Sequence, residues 1–233
     1  MCGRDAAFYT WREIHAFSQP LVLTTPMDDP EPRFNRAPTQ QGWVLLPDAS
    51  EHGAATHAAM AVSMRWGLIP FWARDMKVAY STINARVESA SAKPAFRDAW
   101  KRRRCLVPAS GYYEWRVLAD GKTKQPYFVH AADAPVLMFA GLWDRWQGAA
   151  TEAIQSYSIV TMPAAGVIAE IHDRMPLILP SSLLRDWIYG SADDAAGIAL
   201  AAPVPLLAFH AVPNAVGNVR NQGPGLIEDL AAG

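Results

Sequence analysis

A cysteine stands directly behind the initiator methionine in MCGR, and Cys2 is the first residue whose position could do chemistry. A methionine before so short a side chain is normally trimmed. Trimming would leave a 1,2-aminothiol, a free amine and a thiol two carbons apart, which no interior residue can offer. Further along, STINARVES places Asn84 and Arg86 two positions apart, on one face if the segment is extended and close together if it is a turn. GYYEW encloses Glu114 among aromatics. Alternation makes that glutamate the exposed member of a strand, the favoured reading. Burial would instead raise its pKa and suit it to proton transfer. In EIHDRMPLIL, His172 precedes Asp173 and Arg174, which reads as a solvated turn leading into a strand or as an acid–base group. RWGLIPFW offers Phe71 and Trp72 either as core or, beside Arg65, as a surface on which nucleobases stack. Cys105, inside RCLVPAS, reads as a small core hydrophobe.

These residues need a scaffold. At 233 residues and 51% hydrophobic content, the chain can bury a substantial core as one domain spanning 1–233. A formal net charge of -1 excludes a globally basic nucleic-acid binder, so any polyanion site must be local. Two cysteines are too few for a disulfide framework, and no signal-like segment opens the chain. A cytoplasmic location is the expectation. Pro, Gly or charge interrupts every apolar stretch before it could cross a bilayer. The short runs GWVLLP, AMAVSMRWG, CLVPASGYYEW, QPYFVH, VLMFAGLW, AIQSYSIVTM, MPLIL and LLAFHAV all read as strands. Helices are predicted at TWREIHAF, KPAFRDAWKR and SSLLRDWI, the last capped by Ser181 or Ser182. Leu23–Pro38 and Asp48–His57 read as exposed loops, and the alanine-rich run near Asp193–Ala202 carries no clear signal.

The ordered series CGR, FNRAP, RWGLIPFW, NARVES, RCLVPASGYYEW, IHDRMPLIL and AVGNVRNQG runs from Cys2 to Gly223. It resembles the SOS-response-associated peptidase (SRAP) family, whose members cross-link themselves to abasic sites in single-stranded DNA. Departures are mild: FNRAP carries Arg36 where many relatives have an apolar residue, and Met175 and Ala73 sit at variable positions. The implied fold class is α+β, a single β-rich domain with a curved, barrel-like antiparallel sheet core and peripheral helices.

The resemblance also implies roles. An abasic deoxyribose opens to an aldehyde, which an α-amine of pKa about 7.7 to 8.0 attacks more readily at neutral pH than a lysine near 10.4. Closure by the Cys2 thiol would convert the Schiff base into a thiazolidine, aided by proximity. Asn84 would hydrogen-bond the terminus or a sugar oxygen, and Glu114 and His172 would move protons. Arg4, Arg86 and Arg174 become phosphate contacts, with Asn35, Lys93 and Thr161 as weaker ones. Pro38, Phe71 and Trp72 would stack on or wedge between bases. The implied partner is single-stranded DNA carrying an abasic site, bound by a monomer, with replication or repair machinery as further partners. No metal or cofactor enters the reading, and lyase and autoproteolytic activities are further implications.

Two other classes compete. A glutamine amidotransferase also begins Met-Cys-Gly, but its next residues should continue as an apolar strand, whereas here they read Arg4, Asp5, Ala6. A cysteine peptidase would pair Cys2 with a histidine base, for which His172 is available.

Overall fold

The computed structural model describes residues 2–50, 57–148 and 152–231. Its first half runs β1 (Asp5–Ala7), α1 (Trp11–Ser18), β2 (Leu23–Thr24), β3 (Arg33–Arg36), β4 (Gln41–Pro47), β5 (Ala59–Trp66), β6 (Asn84–Arg86), α2 (Val87–Ala90) and α3 (Arg97–Arg102). Next come β7 (Arg104–Ala109), β8 (Gly111–Val117), β9 (Lys124–Ala131), β10 (Leu137–Trp146) and β11 (Ile154–Pro163). The chain ends with β12 (Arg174–Pro176), α4 (Leu184–Tyr189), α5 (Ala192–Ala201) and β13 (Leu207–Ala211).

Strands β4, β5, β11, β10 and β7 close into a ring. Four of the five pairings are antiparallel, and the seam is parallel, with Arg65 opposite Ser156 and Trp66 opposite Tyr157. The alternation of each strand divides its residues between two clusters. Val44, Met64, Trp66, Cys105, Val107, Phe139, Tyr157 and Ile159 belong to one cluster, which also contains Cys2. Leu45, Leu106, Met138, Ala140, Leu142 and Val160 belong to the other, under Trp11 and Ile14 of α1, Trp100 of α3 and Trp187 of α4. The α+β reading with peripheral helices therefore holds, as does the core role of Cys105.

A second sheet, ordered β13-β9-β8-β1-β3, continues from the barrel through a corner at Ser110. CLVPASGYYEW, expected as one strand, is two strands in different sheets. Gly111 makes the corner passable: a Cβ there would lie 2.3 Å from the Phe128 ring and 2.6 Å from the Val129 carbonyl oxygen. The Ser110 amide donates to Ala6 O at 2.8 Å, and its hydroxyl accepts from the Phe8 amide at 3.0 Å, which fastens the corner to β1.

Other expectations need correcting. The expected loop Leu23–Pro38 contains β2 and β3, because β3 adds to β1, a strand too short to show periodicity. Of the expected loop Asp48–His57, positions 51–56 lie outside the described residues. MPLIL is regular only at its start, with a single bridge from Ile178 to Phe139 beyond it. The predicted helix at KPAFRDAWKR begins at Arg97, since Lys93 to Phe96 form turns. Neither Ser181 nor Ser182 caps α4; both lie in a short 3-10 turn ahead of it. The alanine-rich run is the helix α5, started by a reciprocal capping box between Ser191 and Asp194. TWREIHAF is confirmed as α1, with Thr10 and Glu13 forming the same kind of box.

Candidate active site at the start of the chain

Residues Asp5 to Ala7, which read as an unlikely strand, lie between β8 and β3 as buried β1. Asp5 stands opposite Tyr112 and Ala6 opposite Gly111, and the Tyr113 amide donates to Arg4 O at 2.9 Å. This pairing carries the chain inward, so that Cys2 is 0% exposed among the residues of the barrel interior. Burial pushes the Cys2 thiol well above its ordinary pKa, and the nearby carboxylates of Asp5 and Glu114 add to the rise.

Asn84 reaches Cys2 from β6. That strand is extended and runs parallel to β11, with Asn84 opposite Ile159. Its Nδ2 donates to the Cys2 carbonyl oxygen at 2.8 Å. The Asn84 Oδ1 is buried and accepts no hydrogen bond among the described residues, so it can receive one from an incoming group.

Glu114 is buried, not the exposed member of a strand. Both faces of β8 are covered: Tyr112 packs with the barrel cluster, and Tyr113 packs with Val212, Val216 and Leu226 from the C-terminal segment. Alternation places Glu114 on the Tyr112 side, toward Cys2. Burial raises the pKa of its carboxyl, opposed in part by His172, whose Nε2 lies 3.9 Å from Glu114 Oε2. On the other side of that ring, Nδ1 lies 2.9 Å from the Arg174 amide and 2.8 Å from Asp173 Oδ1. These two contacts of Nδ1, to an amide that donates and to a carboxylate oxygen that accepts, hold the ring with Nε2 directed at Glu114. The expected turn is real, and it directs the His172 ring at Glu114.

The expected phosphate contacts divide into two sets. Arg86 and Lys93 are exposed. Arg86 and Pro176 both pair with Thr161, on opposite edges of β11, so β12 presents Arg174 at the same end of the barrel. Arg174 Nη2 donates to Glu88 Oε2 at 3.0 Å and to Thr161 O at 2.8 Å. Thr161 itself is fully buried and offers no side-chain surface to a phosphate. Asn35 is buried as well: its Nδ2 donates to the carbonyls of Val216, Asn218 and Asn221 at 3.1, 3.0 and 3.1 Å. Arg4 donates to Asn35 Oδ1 at 2.6 Å and Val216 O at 2.7 Å, with its guanidinium over the Trp115 ring. FNRAP and AVGNVRNQG are thus bound to each other, and Asn35 and Arg4 serve that junction.

Phe71 and Trp72, 54% and 49% exposed, project from the connection between β5 and β6. Several contacts support them. The Phe71 amide donates to Asp144 Oδ2 at 3.0 Å, Arg103 pairs with Asp144 and lies over the Phe71 ring, and the Trp146 indole donates to Ala73 O at 2.7 Å. Pro38 is half-buried in the turn after β3.

Sequence reasoning passed over one feature beside Cys2. Arg36 meets Asp5 in a buried fork, Nε to Oδ1 at 2.7 Å and Nη2 to Oδ2 at 2.6 Å. Burial raises the pKa of Asp5 against the pull of Arg36, but two short parallel bonds keep the pair ionised. No local signal marks it, because both partners lie on strands that were not recognised. Among the described residues, no group of three or more His, Cys, Asp or Glu side chains could hold a metal ion, and no helix is long and apolar enough to cross a membrane.

A closed five-strand barrel, extended by a second sheet and carrying Cys2, Asn84, Glu114 and His172 at the chain's start, defines an α+β protein with a cysteine-led site. The chain belongs to the SOS response associated peptidase (SRAP) family, whose model matches residues 1–219. It is 34% identical to abasic site processing protein YedK of Escherichia coli over 99% of this chain and 100% of that one. It is 33% identical to abasic site processing protein YoqW of Bacillus subtilis, over 98% and 99% of the two chains. Among solved structures, a protein from Bordetella bronchiseptica matches with a TM-score of 0.74 at 28% identity, covering 91% of this chain and 100% of that one.

Proposed function

We propose that this protein processes abasic sites in single-stranded DNA by cross-linking to them through the aminothiol of Cys2. The observation that carries the reading is the Asn84 hydrogen bond to the Cys2 carbonyl, which holds the start of the chain on the same side as Glu114 and its partner His172. The relatives named above are abasic site processing proteins, which supports DNA of this kind as the target.

Removal of Met1 frees the amine on Cys2. The amine attacks the open-chain aldehyde carbon of the abasic sugar and forms a carbinolamine. Glu114, whose raised pKa keeps it protonated to higher pH than an ordinary glutamate, donates a proton to the departing hydroxyl, and water leaves. The Cys2 sulfur then bonds to the carbon of the resulting iminium ion, whose nitrogen already carries its hydrogen, and the thiol proton passes to the Glu114 carboxylate and restores the acid. The five-membered thiazolidine keeps every other atom in place. Because an imine acidifies the neighbouring sugar proton and invites strand scission by β-elimination, ring closure shields the lesion. His172, with its Nε2 directed at Glu114, replenishes or withdraws the proton.

Arg86, Lys93 and Arg174 then meet phosphates, and Phe71, Trp72 and Pro38 stack against flanking bases without reading their sequence. The peptidase and amidotransferase readings would use the same thiol against an amide carbonyl, so the substrate that reacts separates them from the aldehyde chemistry. The test mixes purified protein with a single-stranded oligonucleotide bearing one abasic site and runs a denaturing gel. A heat-stable conjugate is expected, absent with undamaged DNA and with Cys2→Ala. Hydrolysis of glutamine or a peptide without any conjugate would overturn the reading.

A further inference from the structure

The rim proposed to meet phosphates, formed by Arg86, Lys93 and Arg174, also carries a carboxylate, and a carboxylate there repels the ligand. Glu88 lies on α2, two positions past Arg86. Its side chain is 48% exposed and turns to Arg174, which is 12% exposed. Arg174 Nη1 donates to Glu88 Oε1 and Nη2 to Glu88 Oε2 at 3.0 Å, a forked pair. We infer that Glu88 is a specificity-determining residue: it occupies Arg174, keeps the protein from holding undamaged single-stranded DNA, and leaves retention to the covalent step at the lesion. This rests on the cross-linking reading above.

The donors of Arg174 show how fully it is occupied. A guanidinium has five N–H groups. One on Nη1 and one on Nη2 go to Glu88, and the second on Nη2 goes to Thr161 O at 2.8 Å. Nε is sealed from solvent and donates to no acceptor among the described residues. A single N–H, on Nη1, is left for a phosphate, which an arginine otherwise holds by two.

The neighbouring charges do not relieve this. Arg86 and Lys93 are exposed, and the other carboxylate of the rim, Asp173, is directed at His172 Nδ1 at 2.8 Å. The bond to Arg174 holds the Glu88 carboxyl below its ordinary pKa, so the pair stays ionised and neutral overall. Contact with a neutral pair displaces few of the cations condensed on DNA and adds little affinity. Specificity is a difference of affinities. An abasic sugar gains a covalent bond whatever the phosphates contribute, whereas intact DNA offers phosphates and bases alone. A half-exposed ion pair contributes little to stability, so its loss should leave the fold intact.

The test titrates the full chain with an undamaged single-stranded oligonucleotide across a salt series. It also times cross-linking to an abasic oligonucleotide with and without an excess of the undamaged strand. Glu88→Gln keeps the shape of the side chain but restores the charge of Arg174. Its log–log slope should steepen by about 0.7, the value for one phosphate, with affinity at low salt raised up to about tenfold. The undamaged competitor should then slow its cross-linking more than it slows the wild type, by the same factor. Placed on Arg174→Gln, the Glu88 change should leave the slope alone, because there is no guanidinium to release. Arg174→Met, a donor-free side chain of similar length, is the background where Arg174→Gln does not fold by circular dichroism. An unchanged slope or weaker binding in Glu88→Gln overturns the inference. So does an equal gain with and without Arg174, which would mean that Glu88 merely repels DNA. A wild-type protein that binds the undamaged strand and forms no conjugate would instead sink the cross-linking reading, and the slopes would still decide on Glu88.

Discussion

Asn84 and Cys2, 82 positions apart, are joined by a hydrogen bond of 2.8 Å from the asparagine amide to the cysteine carbonyl. It is a contact to the backbone, so it orients the terminus whatever side chain stands at position 2. One net hydrogen bond is worth about 1 kcal/mol, and losing it from a buried acceptor costs about 1–3 kcal/mol. Asn84→Ala should therefore form conjugate roughly ten- to a hundredfold more slowly with single-stranded DNA affinity intact. Single-turnover kinetics alongside a binding titration separates the two quantities. Equal losses of rate and affinity would return Asn84 to a purely structural part.

Glu114 and His172 form the proton path. Glu114 has a pKa raised by burial, and as a general acid it works only while protonated, so activity should fall as pH rises through that raised value. The amine gives the opposite limb, because it must lose its proton to attack. Glu114→Gln should abolish the alkaline fall, and both Glu114→Gln and His172→Ala should slow formation by about a hundred- to ten-thousandfold. Formation and exchange rates identical to wild type in both folded variants would leave GYYEW and IHDR without a chemical role.

The arginines should behave differently from one another. Arg86 is exposed at the end of β6, and Arg86→Ala should reduce the salt dependence of single-stranded DNA binding by about 0.7 in the log–log slope, the release expected for one phosphate. Arg4 is engaged by Asn35 and Val216, so Arg4→Ala should lower the melting temperature by unfastening the C-terminal segment from β3. A salt series and a thermal melt on each variant would expose a reversal of these roles.

Gly111 tests the corner that brings Glu114 to Cys2. A Cβ there meets both the Phe128 ring and the Val129 backbone, and overpacking of this kind costs about 1–3 kcal/mol. Gly111→Ala should lower stability in denaturant titration and slow cross-linking, because β8 must shift. Unchanged stability would mean the corner has more slack than its contacts allow.

Much of the barrel was legible because its strands are long enough for period-2 patterning, as in GWVLLP and AIQSYSIVTM. What escaped was short or fully covered. β1 and β3, of three and four residues, have no period to detect, and the ion pair between them was invisible with them. Glu114 was misplaced because alternation assumes one wet face, and β8 has none from Gly111 to Glu114. Cys2, Asn84 and His172 were recognisable as a set through the order of their motifs. Asn35 and Thr161 looked like contacts for DNA only because burial cannot be seen in a motif.

The most direct measurement of the central claim is the intact mass of the conjugate with abasic DNA, taken before and after borohydride. The account expects the chain without Met1 plus the oligonucleotide less one water, unchanged by borohydride because a thiazolidine has no imine to reduce. With Cys2→Ser, the trace of adduct should instead gain two hydrogens and be accompanied by strand cleavage. A wild-type conjugate that retains Met1, or that borohydride reduces in full, would contradict ring closure by the Cys2 aminothiol.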